Sequence, residues 1–484
     1  MLFNSYTYIL LFLPAVLACY FILNSRRATI ASKALLVAAS LFFYSWWDIR
    51  NLPLIACSIA VNYMTGISLA RRSDERARRM MLLFGLGFNL SLLGFFKYAD
   101  FFISNINTVS GMGISLLKIA LPLGISFFTL TQIAYLVDVY RGSAKEYNFL
   151  NYALFVTFFP HLLAGPILHH REMMPQFDRI RNKVLSHRNI ASGISLFVMG
   201  LFKKVIIADT LAQWANSGFA AYQKLSMIEA WTASLSYTFQ LYFDFSGYTD
   251  MALGSALLFN IRLPVNFNSP YRATDIQDFW RRWHITLSRF LRDYVYIPLG
   301  GNRLSEQRTL INLFLTFLIG GIWHGAGWTF VLWGFMHGIA MVIHRLWERL
   351  HITLPRFVAW FVTFNFVNIA WVFFRAKGLE DAVSIIGAMF GRNGIVLPEK
   401  LQGMTWFPHL MDVRYGKVLA NIAESKNAGL FIIACMAAAV FFRNSNRLIS
   451  GIRPDWRTAL LLAVMSVYTM LNLNRVSQFI YFNF

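Results

Sequence analysis

The sequence predicts an all-α, polytopic membrane protein, and three observations predict it. Of its 484 residues, 57% are hydrophobic and only 14% charged. Apolar runs of about 15–25 residues recur along the whole chain, a density that soluble domains do not carry. Within those runs apolar and polar residues do not alternate, so the strands of an outer-membrane barrel are not expected. With about 20 residues needed per crossing, the runs suggest roughly ten to thirteen helices in one integral-membrane unit over 1–484.

The formal net charge of +21 raises nucleic acid as a partner. Basic cytoplasmic loops explain it better, because membrane proteins concentrate Lys and Arg there, and no nucleic-acid partner is expected. Cys19, Cys57 and Cys435 sit in apolar runs without paired spacing, which indicates neither a disulfide framework nor a zinc site. Val16-Leu-Ala-Cys19 superficially matches a lipoprotein cleavage box, but nothing basic precedes it, so the first span reads as an uncleaved anchor.

Taken in order, spans are expected at about 6–23, 34–47, 52–70, 80–96 and 118–138. The basic loops after the first and third share a side, which the positive-inside rule makes cytoplasmic and which leaves the N-terminus outside. The fourth leads outward to Phe95-Phe-Lys-Tyr-Ala-Asp-Phe-Phe102. Residues 150–165, with Pro160 and Pro166 and basic residues on both sides, are expected to dip in and return. A span at about 191–211 carries Lys203 and Lys204 mid-length, which is costly unless they snorkel or face a water-filled cavity. The run from about 229 to 259 holds Asp244 and Asp250 at bilayer depth, either as functional groups or tied to nearby Lys or Arg.

Residues 260–308 form the most basic segment, hence a cytoplasmic amphipathic one. Spans follow at about 309–323, 326–344 and 357–375. Residues 377–427 are less apolar and contain an expected surface helix, and the last spans lie at about 428–442 and 458–474. The tail 475–484 is then extracytoplasmic.

The candidate site lies in 275–338. Asp275-Ile-Gln-Asp-Phe-Trp-Arg-Arg-Trp-His284 has amphipathic spacing, with Ile276, Phe279, Trp280, Trp283, Leu287, Phe290, Leu291 and Tyr294 on one stripe of a helix. His284 falls beside that stripe and is expected to face protein or membrane. Further on, four glycines in Gly320-Gly-Ile-Trp-His324-Gly-Ala-Gly327 should interrupt a spanning helix and line a cavity at His324. A neutral imidazole there could serve as general base for a hydroxyl nucleophile, although a lone buried histidine is more often a packing residue. Arg281, Arg282, Arg289 and Arg292 suit phosphates; they equally suit lipid headgroups and helix pairing, Asp278 with Arg282 and Arg289 with Asp293. His169-His170 could suggest a metal, but adjacent helical histidines diverge and no carboxylate cluster stands near in sequence, so no metal is expected.

Six ordered blocks carry a family resemblance: Phe159-Pro-His-Leu-Leu-Ala-Gly-Pro-Ile167, Tyr242-Phe-Asp-Phe-Ser-Gly-Tyr-Thr-Asp-Met-Ala252, Asn266-Phe-Asn-Ser-Pro-Tyr271, Phe279-Trp-Arg-Arg-Trp-His-Ile285, Leu291-Arg-Asp-Tyr-Val-Tyr-Ile-Pro-Leu-Gly-Gly-Asn302 and Gly321-Ile-Trp-His-Gly325. They resemble the blocks of bacterial membrane-bound O-acyltransferases (MBOAT), in particular the branch containing the alginate O-acetyltransferase membrane subunit. The resemblance implies a ring of tilted helices around a central tunnel, with the catalytic histidine at His324 and its companion at His284. It implies an acetyl group taken from cytoplasmic acetyl-CoA and delivered across the bacterial inner membrane to an exported or cell-surface polysaccharide such as alginate, through a separate extracytoplasmic SGNH-type acyltransferase partner. Peptidoglycan O-acetylation and D-alanyl transfer to teichoic acid are sibling readings. A lipid-linked sugar flippase is the alternative of another class, motivated by the intramembrane Lys203, Lys204, Asp244 and Asp250. Phe479-Ile-Tyr481-Phe resembles the aromatic C-terminal motif of the partner peptide in D-alanine transfer, which implies Tyr481 as an acyl relay. Its bland alternative is an interfacial aromatic anchor.

Overall fold

The computed structural model describes residues 1–402, 412–423, 427–451, 455–475 and 480; Tyr481 lies outside the described residues. The chain is an all-α, multi-pass membrane protein. Among the described residues, six helices combine length with enough apolar character to cross a bilayer: Thr7–Ser25, Ile49–Arg71, Glu75–Ser110, His187–Ala220, Trp328–Leu350 and Arg356–Arg375. Four shorter apolar helices join them, Thr29–Ser45, Ile125–Tyr140, Ala428–Phe441 and Trp456–Leu471. Among the described residues the strands are Ile395–Leu397 and Val413–Tyr415, paired in parallel. The expected surface helix is Leu379–Met389, half-sunk through Ala382, Ile385, Ala388 and Met389.

The molecule is built around Met227–Leu258, a helix of 32 residues. Every residue from Ser236 to Ala256 is buried, so this helix is solvated by protein on all faces and need not be apolar enough to sit in lipid. Its start is set by a capping box, the Ser226 N–H donating to Glu229 Oε2 at 2.9 Å. Its main neighbour, His187–Phe202, approaches backbone to backbone through two glycine pairs. A Cβ on Gly200 would stand 2.5 Å from the Gly247 carbonyl oxygen, and one on Gly254 would stand 2.6 Å from that of Gly193. Small residues at such crossings let helices gain dispersion and close contact where lipid supplies no hydrophobic drive.

Lys203 and Lys204 turn to the aspartates, which bears out the tie to nearby basic residues that the sequence offered as one reading of Asp244 and Asp250. A π-helical turn, Lys203–Ala208, rotates the lysines toward the central helix. Lys203 Nζ pairs with Asp250 at 2.7 Å, and Lys204 Nζ pairs with Asp244 at 2.7 Å and with Asp209 at 2.8 Å. Ser445 Oγ donates to Asp250 at 2.5 Å. The intramembrane charges are thus cross-helix ties, which a low dielectric makes strong only because each has a partner.

Three expectations change. The chain does not leave the membrane helix at Phe95; a second π turn, Gly94–Tyr98, carries the same helix on to Ser110. The 276–294 stretch is not one helix: Ile276–Arg282 and Ile285–Leu291 are separated at Trp283 and His284, and Arg292–Tyr296 is again π-helical. The pairing Arg289 with Asp293 fails for that reason, since i,i+4 geometry presumes an unbroken α-helix. Residues 150–165, by contrast, form two short buried helices, Phe149–Thr157 and Phe159–Leu162, too short to cross a core of about 30 Å.

Candidate active site

His324 is the last residue of Glu306–His324. Gly325 is extended, with φ −160°, and a new helix starts at Trp328. The expected interruption is therefore at 325–327, while Gly321 stays helical and serves packing: a Cβ there would stand 2.6 Å from the Phe330 carbonyl oxygen. The His324 ring is buried among Trp323, Trp333 and Phe374, with centroids 4.9, 5.1 and 5.1 Å away. Edge contacts with three aromatic rings fix its plane.

His284 is fully buried, yet not because a stripe carries it inward. Its backbone is left-handed, φ +43°, at the break between the two short helices. Asn266 Oδ1 accepts from the Thr286 N–H at 3.1 Å and lies 3.3 Å from His284 Nδ1. A backbone N–H can only donate, so this atom is the amide oxygen and Nδ1 carries the proton. Asn266 thereby sets the tautomer, leaving Nε2 the basic nitrogen. Phe245, from the central helix, packs on the ring at 4.8 Å.

A third histidine, His337, escaped the sequence reading. It sits one turn after Trp333, and its Nδ1 accepts from Trp280 Nε1 at 3.2 Å, which places its proton on Nε2. The signal was the i,i+4 pair Trp333 and His337 on an aromatic face. His324 and His337 both pack on Trp333, at 5.1 and 4.6 Å, and Trp333 stacks at 5.6 Å on Trp371, which packs at 5.0 Å on Trp283, the neighbour of His284 in the chain. One aromatic cluster thus links the two expected histidines and His337.

The arginines lie elsewhere on this segment. Arg282 is held by Asp278 (2.8 Å), as expected; Arg289 makes a fork to Glu172 (2.9 and 3.0 Å), and Arg292 pairs with Asp293 (2.7 Å). Arg281 is exposed. His169 and His170 do diverge, but toward carboxylates that the sequence had placed far away. His169 Nδ1 faces Asp138 at 3.3 Å and Tyr294 Oη at 2.9 Å, while His170 Nε2 meets Glu146 at 3.2 Å. Burial pushes the Glu146 carboxyl up, but His170 and the Asn148 N–H outweigh it and hold it below its ordinary value. His170, Glu146, Lys145, Arg171, Asp178 and Arg179 line a basin of about 680 Å³.

A buried histidine at a broken helix end, in an aromatic cage linked to a second histidine of fixed tautomer, can move a proton to or from a hydroxyl. The description "MBOAT, membrane-bound O-acyltransferase family" matches residues 41–380. The chain belongs to this family. It is an acyltransferase, and the resemblance seen in the six blocks holds. Along its full length the chain is 46% identical to the peptidoglycan O-acetyltransferase of Helicobacter pylori, covering 98% of that protein. It is 43% identical to the "Probable alginate O-acetylase AlgI" of Pseudomonas aeruginosa over 81% of this chain and 75% of that one. Similarity to the teichoic acid D-alanyltransferase of Bacillus subtilis is 29% over 53% of this MBOAT chain and 69% of that protein.

Proposed function

We propose that the protein takes acetyl from cytoplasmic acetyl-CoA and passes it across the inner membrane for O-acetylation of an exported or cell-surface polysaccharide. His324 is the general base, with His284 beside it as acid, base or orienting group. The observation that carries this is the placement of His324 at a helix end opened by Gly325-Ala-Gly327 and walled by Trp323, Trp333 and Phe374. A dry wall with one basic nitrogen suits deprotonation of a hydroxyl attacking a thioester: the oxygen bonds to the acyl carbon, imidazole takes the hydroxyl proton and returns it to the departing sulfur, and CoA leaves as thiol. Tyr481 supplies the attacking oxygen in the relay form of this reading, and a separate SGNH-type subunit completes transfer to the polymer. In its support, the N–H of Ile480 reaches Asp244 within the protein interior. With three of the four arginines engaged in ion pairs, the CoA phosphates would draw on Arg281 and on Lys145, Arg171 and Arg179 of the cytoplasmic basin.

Among acceptors, peptidoglycan is the second reading alongside alginate, and the similarity over 98% of the Helicobacter pylori protein favours it. D-alanyl transfer has weaker support, since those relatives match about half of the chain. The flippase alternative loses its motivation, because Lys203, Lys204, Asp244 and Asp250 are engaged with one another. The test is label transfer from acetyl-CoA labelled in its acetyl group, in proteoliposomes, with wild type, His324→Ala and Tyr481→Phe. Label on wild-type protein, absent from both variants, is expected; no CoA release with a competent partner and acceptor present would overturn the donor.

A further inference from the structure

The end of the helix that carries His324 has an unusual problem. The last carbonyls of a helix lack intrahelical donors. Here the following residue is extended and supplies no capping N–H, and the end is inside the protein. The donors come instead from a distant helix. Tyr98 Oη donates to the Ile322 carbonyl at 2.6 Å, and Lys97 Nζ donates to the Trp323 carbonyl at 2.7 Å and the His324 carbonyl at 3.0 Å. Three consecutive carbonyls are thus held by two consecutive side chains.

Adjacent residues on a regular α-helix point about 100° apart and do not serve one neighbour. Lys97 and Tyr98 both reach this helix end from the π turn Gly94–Tyr98, whose extra residue re-phases the helix. The ammonium is also unusual in its neutralisation. An intramembrane lysine normally faces a carboxylate, as Lys203 and Lys204 do. Among the described residues none stands within ion-pair distance of Lys97; it meets the negative end of the Glu306–His324 helix dipole, Ser126 Oγ at 3.3 Å and the Trp323 ring at 5.7 Å. The same long helix grips the other side of the break. Asn105 Oδ1 accepts from Trp328 Nε1 at 2.8 Å, and Phe101 packs on the Trp328 ring. Between the two grips lies a cavity of about 270 Å³, lined in part by Phe95, Lys97, Asp100, Gly325, Ala326 and Phe330.

We propose that Lys97 and Tyr98 are positioning residues for His324: they fix the carbonyls of its helix end, with Asn105 fixing the far side, so that the 325–327 break stays open with the imidazole aimed at the reacting hydroxyl. This rests on the reading of His324 as general base, and it gives a role to the π turn.

The test uses the full chain in cells lacking their own copy, read as base-labile acetate on the envelope polysaccharide, with folded protein measured by size exclusion and thermal melting. Lys97→Met is expected to lose between about tenfold and a hundredfold of acetylation, with folded protein close to wild type. Lys97→Arg should restore most of it, and Tyr98→Phe should lose several-fold. Removing a unit charge beside the base should also displace the pH profile of acetylation in Lys97→Met. In a His324→Ala background, Lys97→Met should cost nothing more. Wild-type acetylation by Lys97→Met overturns the proposal, and so does a loss that tracks folded protein with an unmoved pH profile. Full acetylation by His324→Ala with impaired Lys97→Met overturns the general-base reading instead.

Discussion

The backbone N–H of Ile480 lies 3.0 Å from Oδ2 of Asp244, 236 residues earlier in the chain. Ile480 is therefore tied to the buried helix, and the acceptor is the carboxylate that Lys204 holds in place. Asp244→Ala removes both the acceptor of Ile480 and a carboxylate partner of Lys204. A C-terminal exopeptidase should then trim the tail several-fold faster than in wild type, while melting falls by the equivalent of about 3 kcal/mol for a broken buried pair. Equal trimming rates would show that this bond does not hold the tail.

Asn266 governs His284 through a single oxygen that also accepts from Thr286 N–H and, at 2.7 Å, from Thr286 Oγ1. Asn266→Ala leaves three donors without it, at a cost of about 1–3 kcal/mol in stability, and frees the imidazole to change tautomer. Asn266→Asp keeps the acceptor. Acetylation should therefore fall by about tenfold or more in the alanine variant and by much less in the aspartate variant. Equal losses would remove the tautomer as the reason.

Much of the site was legible in the sequence where local pattern decides it. Glycines around His324 signal a broken helix because four of them within eight residues weaken the helix inside an apolar run, and the break lies there. His284 was correctly expected to be buried, but through a continuous stripe; the left-handed turn that places it depends on Asn266, 18 residues upstream. Lys97 reads in sequence only as part of the outward end of the fourth span, since its partners are 226 and 227 residues away. The charges at 203, 204, 244 and 250 were legible, and so was a tie of the aspartates to nearby basic residues; which lysine meets which aspartate was not, because π turns shift helix phase without a sequence signature. Periodicity reports which face is apolar; it does not report which helix lies opposite.

The glycine pairs give a stability prediction with a built-in control. Gly200→Ala would drive a Cβ to 2.5 Å from a backbone oxygen that cannot rotate away, whereas Gly87 has nothing within 4 Å. Overpacking of this kind costs about 1–3 kcal/mol, so Gly200→Ala should melt several degrees lower. Gly87→Ala should melt at or above wild type, because alanine is favoured over glycine in a helix. Equal melting of the two variants would mean that the crossing is looser than the backbone contact implies.

Glu146 links the basin around His170 to pH. Its folded pKa is held below the ordinary glutamate value of 4.5 by His170 and the Asn148 N–H, which outweigh burial. A carboxyl whose folded pKa is depressed contributes stability above the unfolded value and loses it as pH falls through the folded one. Glu146→Gln should therefore melt below wild type at pH 7, and the gap should close as the medium is taken below about 4.5 toward the folded pKa. The exchange also removes the partner of His170 in the wall of the basin, so acetylation at pH 7 should change with it if the basin receives the donor. A melting gap that stays constant from pH 7 down through the acid range would mean that the hydrogen bond, and not the charge, is what Glu146 contributes.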